Sequence, residues 1–553
     1  MSLPEFDTQG TLFGSLASVG AALFEEGDRF KLFAQKIWPL LAAARPALAE
    51  CYDEGNGRPS LEPVVMLGVV IFQFLERTPD RQAAELVKYH LGWKLALNLE
   101  LGAKGFHPTS LVEFRRRLLE HQKAQLAFEV VLKGLVQEGL VPKRSKQRMD
   151  STHVLGLVSA MSRLESIRET LRLALVELEE SLEEKPDFWA LLWERYVEHK
   201  LDYRSSDGIV DAKYRQAGAD ALQLLCWLEP LPVKIREGKQ ARLLREIFGQ
   251  HYVVSEAEAT PMKTTPSGAV QNPHEPGAKW STKGRGKGKI EWVGYKLQVA
   301  ESVSGQRQKK TEPTRNFLTS MVTQPAIATD EAGMEKSLEA QSALGLEKPP
   351  ELFVDTAYVS AEALVEARAE GRELLGPARP SPLNKNGSCS EDFEVCVEER
   401  RAICPAGHQN TQCSRLEEKA TGKVSYRFEW STHCHQCPMQ QHCVGKGQSH
   451  RSLTVGEHHT VLQTRRHEQK TEEFAQRMRE RNAIEGTQSE LVRAHGLRQA
   501  RYRGLGKVDL QNQLIGAACN IKRWLKLLAW EMGSLARSIV SAAAPSMAEA
   551  ATC

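Results

Sequence analysis

Between Trp292 and Val299 the chain changes period. Val293, Tyr295, Leu297 and Val299 alternate with Trp292, Gly294, Lys296 and Gln298, and an apolar repeat of two residues is that of a strand with two unlike faces. Upstream the repeat is helical: Leu164, Ile167, Leu171, Leu175, Leu178 and Leu182 recur every three to four residues on a charged background. Further strand candidates are 148–155, 317–323, 352–354 and 373–375, the last two separated by a helix that Ser360 can cap and that ends at Gly371. Strands interleaved with helices in this way make a mixed α/β chain. At roughly 100 to 200 residues per domain, 553 residues hold about three folding units.

Composition narrows the class. Apolar residues at 41% and charged residues at 26% exclude a collagenous, wholly disordered or multi-span membrane chain. The longest near-continuous apolar run, 63–72, stops at Gln73, and a bilayer span needs about 20 such residues. The N-terminus lacks a basic segment followed by an apolar one, so the expectation is a cytoplasmic protein with no membrane partner. Net charge is only +3, from 73 Lys and Arg against 70 Asp and Glu, so any polyanion partner has to be recognised by local clusters.

The run 60–77 is apolar almost all round and predicts the buried centre of a helical cluster. Asp80 is expected to cap the next helix, and Ser110 with Glu113 to open a third through a capping box. That third helix carries Arg115, Arg116 and Arg117 together. The arrangement fits a helix-turn-helix-like module, or equally an ordinary bundle with solvated arginines. Ser162 with Glu165 starts a long amphipathic helix, helical patterning continues to about Tyr252, and Pro261, Pro266, Pro273 and Pro276 then mark a flexible linker. The block 160–280 therefore looks like an insertion.

Three carboxylates carry the chemistry. Asp355 closes an apolar strand, where open α/β sheets bind ligands, and Asp150 has the same setting; the plain alternative is that each shapes a turn. At 100° per residue, Phe474, Met478, Arg481, Glu485 and Val492 fall close together on one helix, which predicts Glu485 and Arg481 on its inward face. Three such carboxylates could hold two Mg²⁺ (or Mn²⁺) ions, because hard cations take oxygen ligands and share them with phosphates. Arg493, Arg498, Arg501, Arg503 and Lys507 form a run without an acidic residue, and Lys283, Arg285, Lys287 and Lys289 a glycine-interleaved one. Each can neutralise DNA phosphates, while the second is equally consistent with flexible filler. Seven of the eleven cysteines lie between 389 and 443. Cys404, Cys434, Cys437 and Cys443, with His408 and Cys413 as substitutes, offer a tetrahedral Zn²⁺ site, the alternative being reduced, unligated thiols.

The stretch from Arg479 through Glu485, Arg493, Arg498, Arg501, Arg503 and Gly504 to Lys507, followed by Cys519 and Asn520, resembles the C-terminal signature of bacterial insertion-sequence DDE transposases. Met149-Asp150-Ser-Thr-His and Val354-Asp355-Thr-Ala-Tyr358 resemble the segments of the first and second Asp, and the helices within 60–117 the N-terminal domain. About two-thirds of the chain is covered. The resemblance implies a ribonuclease-H-like mixed-sheet core with Asp150, Asp355 and Glu485 as its metal-binding triad and Arg481 as the Arg of the Tyr, Arg, Glu, Lys signature. Met478 stands where that signature has Tyr and Val492 where it has Lys, so no phosphate-contacting base is assigned there.

The expected layout is a helical DNA-binding domain at 36–140, core segments at 141–159, 281–380 and 461–535, a helical insertion at 160–280, a cysteine-rich insertion at 381–460 and a disordered tail at 536–553. The implied activity is two-metal cleavage of double-stranded DNA at terminal inverted repeats and strand transfer into target DNA, by a nucleoid-associated bacterial homo-oligomer. A catalytically inert DNA-binding descendant, or a nuclease without strand transfer, are the alternatives.

Overall fold

The structure, a computed structural model, describes residues 3, 23–53, 60–199, 207–284, 286–305, 312–381, 389–419, 422–445 and 447–543. Arg285 and the end of the expected tail, 544–553, lie outside the described residues, whereas the last helix, Leu505–Ala543, runs past position 536. No described helix is long and apolar enough to cross a membrane.

Strands are numbered in chain order: β1 (Gln147–Leu155), β2 (Tyr252–Ser255), β3 (Glu258–Pro261), β4 (Lys279–Lys283), β5 (Ile290–Ser302), β6 (Leu318–Pro325), β7 (Glu351–Phe353) and β8 (Glu373–Leu375). The central sheet is mixed. β5 pairs antiparallel with β1 on one side and β6 on the other, while β7 runs parallel to β1 and β8 parallel to β7. Parallel neighbours need crossovers, supplied here by the helices Asp330–Ala343 and Ala361–Ala369. Ser360 caps the second through the amide of Ala363, and Gly371 follows at positive φ, as the sequence predicts.

The helix Pro63–Leu75 is the hub of the N-terminal region, with every residue but Val65 and Leu75 buried. It packs on Leu505–Ala543, so the N-terminal helices, the C-terminal helix and one face of β5 and β6 share a continuous core. The segment 163–252 has its own core, built on Leu171, Leu175, Leu224, Leu244 and Ile247, and begins with the expected Ser162 and Glu165 capping box. A third core, around Phe393, Phe428 and Trp430, belongs to the cysteine-rich segment.

Three local expectations are corrected. Asp80 lies in the first turn of Asp80–Tyr89 and caps nothing, because its carboxylate is taken by Gln73 and Arg115. Thr109–Glu120 begins before Ser110, which therefore lies inside its first turn and cannot cap it, and Glu113 is turned to Arg116. The region expected as linker holds the β2–β3 hairpin and then the buried Glu275, which accepts from the Tyr295 hydroxyl at 2.8 Å and the Leu157 amide at 3.2 Å. A buried carboxylate among donors fixes a segment whose prolines alone suggest flexibility.

Candidate active site

Asp150 lies in β1 beside Val299 of β5, with only 4% of its surface exposed. Its Oδ1 accepts from the Ser151 amide at 2.7 Å. Asp355 follows β7, two residues beyond its end, and caps the short turn Thr356–Tyr358 by accepting from the Ala357 amide at 2.7 Å. Because β1 and β7 are parallel neighbours, both acids emerge on the same side of the sheet. Glu485 comes from the helix Glu472–His495, which crosses β1 and β7.

All three carboxylates meet one guanidinium. Arg481 Nη2 is 3.1 Å from Asp150 Oδ2 and 4.0 Å from Asp355 Oδ2, and its Nη1 is 4.0 Å from Glu485 Oε1. The Arg481 side chain is largely enclosed, and its Nε is buried without a hydrogen-bond partner among the described residues. Lys283 adds a second positive group, its Nζ donating to the Ser151 carbonyl at 3.4 Å. Burial pushes the Asp150 carboxyl above its ordinary range, against the pull of Lys283 and Arg481 and with the push of Asp355.

The expected inward placement of Glu485 is wrong: its side chain is 73% exposed. The buried stripe of the helix runs through Phe474, Ile484, Thr487, Leu491 and His495, and Glu485 sits about 100° round from Ile484 at the rim of that stripe. Arg481, one turn earlier, points to the strand ends and is the member that is enclosed. Glu485 thus approaches the Arg481 guanidinium from the solvent side, and the three carboxylates are not within 4.8 Å of one another.

Two residues beside the triad carried no assigned role from sequence. Tyr358 is fully buried and donates its hydroxyl to Gln298 Oε1, with Asp150 and Asp355 both close enough to hold its ionisation far up after burial. His153 packs on Trp292 and is depressed to about 4 by burial, Arg498 and Lys283. Behind the site, Glu301 is 1% exposed and accepts from Arg148 Nε and Thr487 Oγ1, both at 2.7 Å, and from Arg523. Arg523 also holds Glu490 at 2.8 Å. Arg148 is two residues from Asp150 and Thr487 two from Glu485, so this network sets the register of helix against strand.

The basic residues divide. Arg115, expected to contact DNA, is instead buried against Asp80 at 2.6 Å. Arg498 serves β1, donating to the His153 carbonyl at 2.6 Å, and Arg501 stacks on Phe74 beside the Thr78 carbonyl. Arg498 is occupied because the segment 498–500 docks alongside Leu155 at the end of β1, whereas Arg115 is taken up by Asp80 from a different helix. Arg116 is exposed but lies between Glu113 and Glu120. Arg493, Arg503 and Lys507 are exposed. Asn520 of the signature clamps β6, accepting from the Leu318 amide at 2.8 Å and donating to its carbonyl at 2.9 Å.

Cys404, Cys434, Cys437 and Cys443 line one cavity of about 750 Å³ with His408, His433 and His442. Burial raises the Cys443 thiol, with Cys434, Cys404 and Cys437 adding to the rise. Of the two expected substitutes, His408 is in that lining and Cys413 is not. Among the described residues one set of three potential ligands converges within 4.8 Å, and it is Glu490, His495 and Cys519. Lys522 and Arg523 face that point and Arg523 already holds Glu490, so a divalent cation there would meet like charge.

No curated protein matches the chain. A model of a transposase domain (DUF772) matches residues 21–117, and one of a transposase DDE domain matches residues 403–525, a span that includes Arg481 and Glu485. Matched at two separate places in one chain, one model on the N-terminal helices and the other on the helix that carries Glu485, these two families support an insertion-sequence DDE transposase.

Proposed function

We propose that this chain cleaves the ends of a DNA element and joins the freed 3'-hydroxyls to target DNA, with Asp150, Asp355 and Glu485 as its metal-binding residues. The observation that carries the reading is their convergence on Arg481 from three distant parts of the chain. The donor set is all oxygen and negatively charged, which suits Mg²⁺ or Mn²⁺. Such ions, held by these three carboxylates, would supply Lewis acidity at a phosphate. Asp150, enclosed by burial, fixes one edge of the site. Glu485 is solvent-facing, so a DNA strand can approach from its side. Arg481, held among three acids, neutralises part of their mutual repulsion and is within reach of a phosphate that enters between them.

The sheet order β6–β5–β1–β7–β8, antiparallel on one side of β1 and parallel on the other, supports a ribonuclease-H-like core. We assign 36–140 to end recognition, 160–280 to a helical insertion and 381–460 to a small unit in which Cys404, Cys434, Cys437 and Cys443 hold Zn²⁺. That ion would brace a segment with a modest core. Arg116, Arg493, Arg503 and Lys507 are the remaining candidates for phosphate contacts, and pairing of two element ends calls for an oligomer.

The test incubates the protein with a duplex carrying an element end and Mg²⁺ or Mn²⁺, comparing wild type with Asp150→Asn and Glu485→Gln. Expected are nicking and strand transfer by wild type and loss of both in the variants with DNA binding retained. Repeat-specific binding without cleavage by any form would instead assign the chain to DNA binding alone, and nicks never joined to target would make it a nuclease.

A further inference from the structure

The hairpin made by β4 and the start of β5 ends where its register alone would not put it. Lys283 pairs with Ile290, and Asp150 with Val299, nine residues further along β5. At about 3.3 Å per residue, an unbent strand separates those positions by roughly 30 Å. Lys283 Nζ nevertheless lies 3.4 Å from the carbonyl of Ser151, the neighbour of Asp150. The bend is at Gly294, the residue of β5 that pairs with both Leu155 and Lys279. There φ is +157°, and a Cβ would stand 2.1 Å from the Val154 carbonyl oxygen, so only glycine lets the strand turn so close to β1. The hairpin folds back over the sheet and brings the Lys283 ammonium to the Ser151 carbonyl, near enough for its charge to act on Asp150.

We infer that Lys283 is a positioning residue that holds a non-bridging oxygen of the DNA phosphodiester beside Asp150 and Arg481, delivered there by the folded-back hairpin. The inference rests on the DNA-cleaving reading above and adds a contact to it. An ammonium has three donors, and the Ser151 carbonyl takes one. Among the described residues no carboxylate forms an ion pair with Lys283, in contrast to Arg481. A compact charge on a flexible stem suits a phosphate oxygen that arrives with the substrate. Lys283 is followed by Gly284 and Gly286, both at positive φ, where a side chain would be strained.

Two measurements on the full chain test this. In the Asp150→Asn protein, which leaves DNA uncut, an amine-acylating reagent is applied with and without the end duplex and modification is read by peptide mass spectrometry. DNA should protect Lys283 on the order of 10-fold while the exposed Lys234 of the helical insertion is unaffected. In the active protein, Lys283→Ala should slow single-turnover cleavage on the order of 100-fold, as loss of one preorganised donor does. Its Kd for DNA should rise less than about 10-fold and its salt slope fall by about one. Lys283→Arg should recover part of the rate. Equal acylation of Lys283 with and without bound DNA, or wild-type cleavage by Lys283→Ala, overturns the inference. Protection of Lys283 in a wild type that never cuts DNA keeps the contact and removes the cleavage reading instead.

Discussion

Glu301→Gln should loosen the packing of the helix Glu472–His495 on β1 and β5, although among the described residues Glu301 pairs with none of the three acids. The carboxylate is 1% exposed and accepts from Arg148, Arg523 and Thr487. Glutamine keeps the volume but offers one acceptor oxygen, and its amide N–H groups face donors. At least two charge-assisted hydrogen bonds are lost, at about 1.5 to 3 kcal/mol each, which agrees with the roughly 3 to 5 kcal/mol for breaking a buried ion pair from one side. Arg523 retains Glu490, and Arg148 retains only the Glu480 carbonyl at 3.0 Å, so the unmet charge falls on β1 two residues before Asp150. For a core of this size about 1 kcal/mol moves Tm by 2 to 4 °C, so a drop of roughly 6 to 20 °C is expected by calorimetry. Amide exchange should accelerate in β1, β5 and the helix Glu472–His495, leaving 163–252 unchanged because that segment has its own core. A Tm within about 2 °C of wild type would refute the account of these arginines as held by Glu301.

Asp150→Asn should raise Tm near pH 7 while abolishing cleavage, because burial holds the folded Asp150 carboxyl above its unfolded value. The folded state then binds the proton more tightly, the acid costs stability as pH rises through its folded pKa, and the benefit of the substitution should shrink as pH falls towards about 3.9. Added Mg²⁺ should stabilise wild type in melting experiments and leave Asp150→Asn and Asp355→Asn little changed. His153, His251 and His459 are each depressed to about 4, chiefly by burial. Their contribution is therefore complete above about 6.5 and lost as pH falls through about 4, and denaturant midpoints should decline across that window. Gly294→Ala should destabilise by more than about 2 kcal/mol and uncouple the hairpin, because the obstructing atom is the Val154 backbone oxygen. A soluble Gly294→Ala protein of wild-type Tm would show that the strand does not need that close approach.

The residue order alone was enough for the strands around Asp150 and Asp355, the helix over Pro63–Leu75 and the caps at Ser162 and Ser360, since periodicity and local hydrogen bonding are properties of neighbouring residues. Side chains whose partners are far away in the chain resisted that approach. Asp80 reads as a cap until Arg115 is seen against it, Glu275 as linker until Tyr295 and Leu157 meet it, and Arg498 as a DNA contact until the segment 498–500 docks on β1. The helical repeat placed Arg481 and Glu485 on one side, but only packing against β1 and β7 decides which of them is enclosed and which faces solvent. Lys283 is the extreme case, since its place beside Asp150 depends on how sharply β5 bends at Gly294, a property of two strands in contact.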